Sequence, residues 1–160
     1  MKGCVKTLNE LARICDEARS SGKKVVTTNG TFDLLHPGHV ATLMEARGCG
    51  DILIVAINSD ASVKRLKGGG RPIFSETDRA TMLCALRWVD YVTVFPEDTP
   101  LRVIHALTPD CHVKGGTSVQ GNIDAEREAV EAHGGRLVIL GMQGGYSTTK
   151  IIEACRRASA

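Results

Sequence analysis

Five short apolar runs recur along this chain, at Lys24–Thr28, Asp51–Ile57, Tyr91–Phe95, Cys111–Lys114 and Arg136–Leu140, most with continuous Val, Ile and Leu instead of alternation. Strands read that way when both faces are covered, as in a parallel sheet. Helical patterns separate the runs at Pro37–Arg47, Asp60–Leu66, Ser75–Arg87, Thr99–Leu107 and Ile123–His133, and a last one, Thr149–Arg157, follows them. Ahead of them Thr7 and Glu10 form a capping box, Leu8, Leu11, Cys15 and Ala18 recur at helical spacing, and Ser21-Gly22 ends a helix predicted over Leu8–Ser20. Such alternation implies right-handed crossovers and an α/β fold, a doubly wound parallel five-stranded sheet. Ligands of these sheets bind outside the carboxyl ends of the strands, where the strand order reverses. The loops at 28–37, 58–60, 96–98, 114–116 and 141–148 would therefore surround one crevice.

The first of those loops carries the strongest chemical signal, Asn29-Gly30-Thr31-Phe32-Asp33-Leu34-Leu35-His36-Pro37-Gly38-His39. Pro37 suits a first helical position, since its φ is already helical and its missing N–H would have no partner there. His36 then falls near the N-cap and His39 near the third helical position. A helix opening presents unpaired N–H groups and the positive end of a dipole, so two imidazoles beside it outline a polyphosphate cradle. A His-x-x-His pair could instead ligate a metal, but no Cys, Asp or Glu lies at a usual zinc spacing, and Pro37-Gly38 points to a strand-to-helix turn. Either histidine could also serve only as a cap. Their charge is open from sequence, because the helix opening disfavours imidazolium whereas a bound triphosphate favours it.

At 160 residues the chain is expected to be one domain, an N-terminal helical segment over 1–22 and a catalytic core over 23–160. A net charge of +2 with dispersed Lys and Arg, and only 4% aromatic residues, argue against a nucleic-acid surface. Six cysteines without C-x-x-C spacing read as reduced core thiols of a cytoplasmic protein. The charged first twenty residues do not read as a secretory signal, and the longest apolar run, Ile52–Ile57, is too short to cross a bilayer. No membrane partner is expected. Gly68-Gly69-Gly70 reads as a mobile loop.

Gly30-Thr31-Phe32-Asp33 leading into His36-x-Gly38-His39, then Asn58-Ser59-Asp60, and finally Ser147-Thr148-Thr149-Lys150-Ile151, resemble the cytidylyltransferase-like nucleotidyltransferase superfamily, with its Rossmann-like fold. Val63-Lys64-Arg65-Leu66-Lys67-Gly68, Arg71-Pro72-Ile73, Glu97-Asp98-Thr99-Pro100 and Val113-Lys114-Gly115-Gly116 look most like its heptose 1-phosphate adenylyltransferases, which make ADP-heptose for lipopolysaccharide. The resemblance implies that a sugar 1-phosphate attacks the α-phosphate of ATP and releases pyrophosphate. It also implies Mg²⁺ as cofactor and a homodimer, and it would leave phosphorylation of the sugar to separate enzymes. The alternative is a cytidylyltransferase acting on CTP and a phosphorylated polyol, amino-alcohol or phosphonate; a non-catalytic nucleotide-binding module is a further one.

By resemblance His36 and His39 contact the phosphates as catalytic residues, with Lys67, and Asn29, Gly30, Thr31, Phe32, Gly38, Lys114 and Gly115 bind the nucleotide. Ser147, Thr148 and Thr149 after Gly144-Gly145 repeat the helix-opening device with hydroxyl donors, although Thr148 could be merely an N-cap. Lys64, Lys67 and Arg71 could close over the triphosphate or sugar phosphate, or form a solvated face. Asp33 and Asp60, assigned to the substrate side, could hold Mg²⁺ through water, orient a histidine or cap a helix. Arg79 matches an arginine common in the superfamily, and is otherwise a surface salt bridge. Thr117 replaces an acidic residue frequent after Lys-Gly-Gly, and Tyr146 a small residue or Cys, at places where base or sugar contacts are expected.

Overall fold

The computed structural model describes residues 3–115, 123–141 and 146–158. Its elements run α1 (Leu8–Ser20), β1 (Val25–Gly30), α2 (Pro37–Arg47), β2 (Ile52–Asn58), α3 (Asp60–Lys67), α4 (Glu76–Cys84), β3 (Tyr91–Phe95), α5 (Leu101–Leu107), β4 (Cys111–Gly115), α6 (Ile123–Glu131), β5 (Arg136–Leu140) and α7 (Thr148–Ala158). All strand pairings are parallel, in the order β3-β2-β1-β4-β5, so the order reverses between β1 and β4. The doubly wound fold expected from the continuous apolar strands is the one observed.

The two faces of the sheet bury different helices. Val26, Leu53, Val55, Ile57, Cys111 and Val113 pack with Leu43 and Ala46 of α2 and Ala80 and Leu83 of α4. Their strand neighbours Val25, Ile54 and Ala56 point the other way, against Leu11, Cys15 and Ala18 of α1 and Val103 and Leu107 of α5. Period-2 alternation thus sorts one continuous apolar run onto two cores. The Thr7–Glu10 capping box opens α1 as expected, with Glu10 Oε2 accepting from Thr7 N at 2.8 Å.

Three of the predicted helices are shorter in the fold. α4 stops at Cys84, α5 begins only after Pro100, and α6 stops at Glu131; α7 begins one residue early. The reading of all six cysteines as free thiols is corrected as well. Cys4 and Cys84 form a disulfide with Cα atoms 5.9 Å apart. The segment before α1 lies beside β3, where Val92 N donates to Cys4 O and Lys6 N to Val92 O, and this pairing carries Cys4 to the end of α4. Cys15 and Cys111 are buried thiols, each pushed up to about 11 chiefly by burial. Among the described residues no helix is long and apolar enough to cross a membrane.

Candidate active site

His36 is the N-cap of α2 and Pro37 its first residue, so the strand-to-helix turn predicted for this loop forms as expected. His36 Nδ1 accepts from His39 N at 3.3 Å, which leaves the neutral ring's proton on Nε2. The two imidazoles stack with centroids 3.7 Å apart and planes at 16°. Burial lowers the pKa of His36, and burial together with the neighbouring His36 lowers that of His39 to about 4. Both rings are therefore neutral near pH 7, and desolvation is the leading cause. His39 Nδ1 is buried with no hydrogen bond of good geometry, although the Leu34 backbone interacts with the ring and opposes the effect of burial on its pKa.

The loop that delivers the histidines is held by two charged groups. Phe32 has φ 45°, a left-handed backbone unusual for an aromatic residue, and its buried ring lies 5.0 Å from that of His39. The fully buried Asp33 accepts from Ile73 N at 2.7 Å, from Phe74 N at 3.1 Å and from Arg71 Nε. Arg79, also fully buried, donates to Thr31 O at 2.6 Å, to Phe74 O at 3.1 Å and to Asp60 Oδ1 at 2.7 Å.

These bonds correct the readings of Asp33 and Arg79 and narrow those of Asp60 and Arg71. Asp33 has no accessible oxygen for a substrate, whereas Asp60 gives Oδ1 to Arg79 and keeps 33% of its side chain exposed. Arg79 is neither a surface salt bridge nor a substrate contact, because it is sealed beneath the loop it braces. Arg71 spends Nε on Asp33, yet it lines the cleft as expected.

The cleft is about 160 Å³ and opens at the carboxyl ends of β1 and β4, at the reversal of strand order. Asn29, Gly30, Thr31, Phe32, Gly38 and both histidines line one side of it. Ser147, Thr148 and Thr149 line it too, with Tyr146, whose ring is 6.2 Å from that of His36. Ser147, not Thr148, caps α7: its Oγ accepts from Lys150 N at 3.2 Å. Lys67 reaches the cleft from the end of α3. Gly115 lines it as well, and a Cβ there would stand 2.5 Å from Thr42 Cγ2, so only glycine fits.

Lys114 differs from its expectation. It is buried, with Nζ 2.9 Å from Asn29 Oδ1 and 3.0 Å from Glu126 Oε1, and it does not line the cleft. Sequence reasoning missed Thr42, Glu126 and His112; His112 was detectable only as the residue two before Lys114 on the same strand face. Gly116, Thr117 and Gly144-Gly145 lie outside the described residues.

Among the described residues no carboxylate lines the cleft, and no group of three or more His, Cys, Asp or Glu is placed to hold a metal. With Asp33 and Asp60 both engaged by arginines, these residues do not fit direct coordination of Mg²⁺.

A family model described as Cytidylyltransferase-like matches residues 27–154. The chain is 55% identical over 150 residues to the Bifunctional protein HldE of Citrifermentans bemidjiense, covering 93% of this chain and 30% of that protein. It is 49% identical to the protein of the same name from Geotalea uraniireducens, covering 97% of this chain and 31% of that one. It thus spans about a third of the length of these curated relatives. Among solved structures, a lipopolysaccharide core biosynthesis protein from Thermoplasma volcanium superposes with a TM-score of 0.63 at 25% identity, over 76% of this chain and 98% of its own. A pantoate-beta-alanine ligase from Francisella tularensis gives 0.63 at 13% identity, over 98% of this chain and 78% of its own, a likeness of fold alone.

Proposed function

This chain belongs to the cytidylyltransferase-like family of nucleotidyltransferases, and from that membership we propose that it joins ATP to a heptose 1-phosphate, giving ADP-heptose and pyrophosphate. The observation that carries the reading is the convergence of two helix openings, one bearing His36 and His39 and the other Ser147–Thr149, on one cleft. Similarity to the HldE proteins, likeness to a lipopolysaccharide core biosynthesis protein and the Lys-Gly-Gly and Arg-Pro-Ile loops support the sugar over a CTP-dependent acceptor.

An oxygen of the acceptor phosphate attacks the α-phosphorus, and the bond from that phosphorus to the bridging oxygen breaks as pyrophosphate leaves. A phosphate monoester is largely dianionic at neutral pH, because its second pKa is about 6, so the nucleophile needs no protein base. The protein supplies alignment and donors. Neutral His36 donates from Nε2, the amides and hydroxyls at the start of α7 take other phosphate oxygens, and Lys67 with Arg71 adds positive charge. Mg²⁺ in this reading arrives on the triphosphate, and no step here depends on a protein ligand to it. The same reading places the protein in the cytoplasm, with ATP, and as a homodimer.

Incubating the protein with Mg²⁺, each nucleoside triphosphate and a panel of sugar phosphates, and measuring pyrophosphate, tests the assignment. Release is expected with ATP and heptose 1-phosphate. Release only with CTP would transfer the assignment to the cytidylyltransferases, and release with water alone would make the protein a hydrolase. His39→Ala should keep the native circular dichroism and lower turnover about 10² to 10³-fold, the scale of one preorganised donor. Full turnover in that variant would refute its role.

A further inference from the structure

Beneath the cleft, on the sheet face away from α2, lies a buried polar network that phosphate chemistry does not by itself require. Thr27 and Asn29 of β1 and His112 and Lys114 of β4 project on one face, with Thr27 and His112 direct cross-strand partners. Glu126 of α6 closes the group. His112, Lys114 and Glu126 are all buried.

The hydrogen bonds fix a direction through this network. Lys114 Nζ can only donate, so the Asn29 atom 2.9 Å from it is the amide oxygen, and the orientation of the carboxamide is set. His112 Nε2 lies 3.2 Å from the same oxygen and 3.5 Å from Glu126 Oε2, both acceptors, so it carries the ring proton. His112 Nδ1 then accepts from Thr27 Oγ1 at 2.7 Å. Burial lowers the pKa of His112, which agrees with this neutral tautomer. Glu126 balances the Lys114 charge, with its two oxygens 3.0 and 2.9 Å from Nζ. A buried ion pair is weak support for stability, since an apolar pair of similar volume often does as well, so its use lies in fixing a geometry.

What it fixes is Asn29. Two donors hold the carboxamide oxygen, and the residue is half-buried at the cleft wall. Asn29 lines the cleft, and its amide nitrogen, with two N–H donors, takes part in none of these bonds. We propose that Lys114, Glu126 and His112 are positioning residues that act through Asn29, locking its amide nitrogen as a phosphate donor opposite the Ser147–Thr149 helix opening. The inference rests on the function proposed above, and it replaces the direct nucleotide contact expected of Lys114 with an indirect one.

A double-mutant cycle tests it. Lys114→Met with Glu126→Gln removes the ion pair without stranding a charge; thermal unfolding verifies that the variants are folded. Asn29→Ala, and the paired change in an otherwise unaltered chain, should each lower kcat/KM about 10 to 100-fold, the scale of one hydrogen bond to a charged group. In the Asn29→Ala background the paired change should cost less than about 2-fold. Equal losses in both backgrounds, or full activity of Asn29→Ala, would overturn the proposal.

Amide NMR with inorganic pyrophosphate provides a readout free of turnover. The Asn29 side-chain NH2 signals, identified by their loss in Asn29→Ala, should shift on titration. If other cleft signals move and these do not, the positioning role fails while the functional reading stands. If no cleft signal moves, the functional reading fails and takes this inference with it.

Discussion

His39 joins catalysis to stability because the contacts that make it a neutral donor also make it costly to protonate. Its pKa in the folded protein is about 4, against 6.5 for an unperturbed imidazole. Between those values the unfolded chain holds a proton that the folded chain refuses, so the unfolded state gains as pH falls. Stability should be fully present above about pH 6.5 and decline toward pH 4. Urea midpoints taken across that window should fall more steeply for the native chain than for His39→Gln. Identical slopes would mean that the ring is not held neutral by burial. The placement of His36 and His39 was legible in the sequence, since Pro37 marks the helix start and counting does the rest. Their charge was not, because desolvation depends on what Phe32 and the stacked partner ring cover.

At the scale of elements, the β1–α2 loop is braced by α4 and the segment that precedes it. Arg79 links Thr31, Phe74 and Asp60, and Asp33 gathers the backbone of residues 73 and 74 with Arg71. Removing a buried charge that serves three acceptors leaves each of them short. Arg79→Met should lower the unfolding free energy on the order of 3 kcal/mol, the low end for breaking a buried pair, since Asp60 keeps some exposure. It should also raise KM for the nucleotide, because Thr31 loses its anchor. Arg79→Lys should recover less than half of the loss, as one ammonium cannot span the fork. A native urea midpoint in Arg79→Met would contradict the bracing role. The sequence showed the strands and helices of this region because apolar periodicity is a local property. It could not show that Asp33 takes Arg71, that Arg79 takes Thr31 and Asp60, or that Lys114 takes Asn29 and Glu126, since those pairings span between 12 and 85 residues and form only when the sheet is assembled.

Across the whole molecule, the parallel sheet reverses its strand order between β1 and β4, and that reversal opens the cleft where the two helix openings meet. The fold class follows from alternating strand and helix patterns and was readable in advance; that β1 and β4 flank the reversal was not, because strand order depends on long-range pairing. The Cys4–Cys84 disulfide was not, because it depends on the first residues pairing with β3, a contact without periodic signature. The central claim is that α2 and α7 grip one triphosphate. Titrating the labelled protein with ATP, while following the ring Cε1–H signals of His36 and His39 and the backbone amides of Thr148 and Thr149, tests it most directly. Both sets should move together and fit a single dissociation constant; movement of one set alone, or two distinct constants, would contradict the claim.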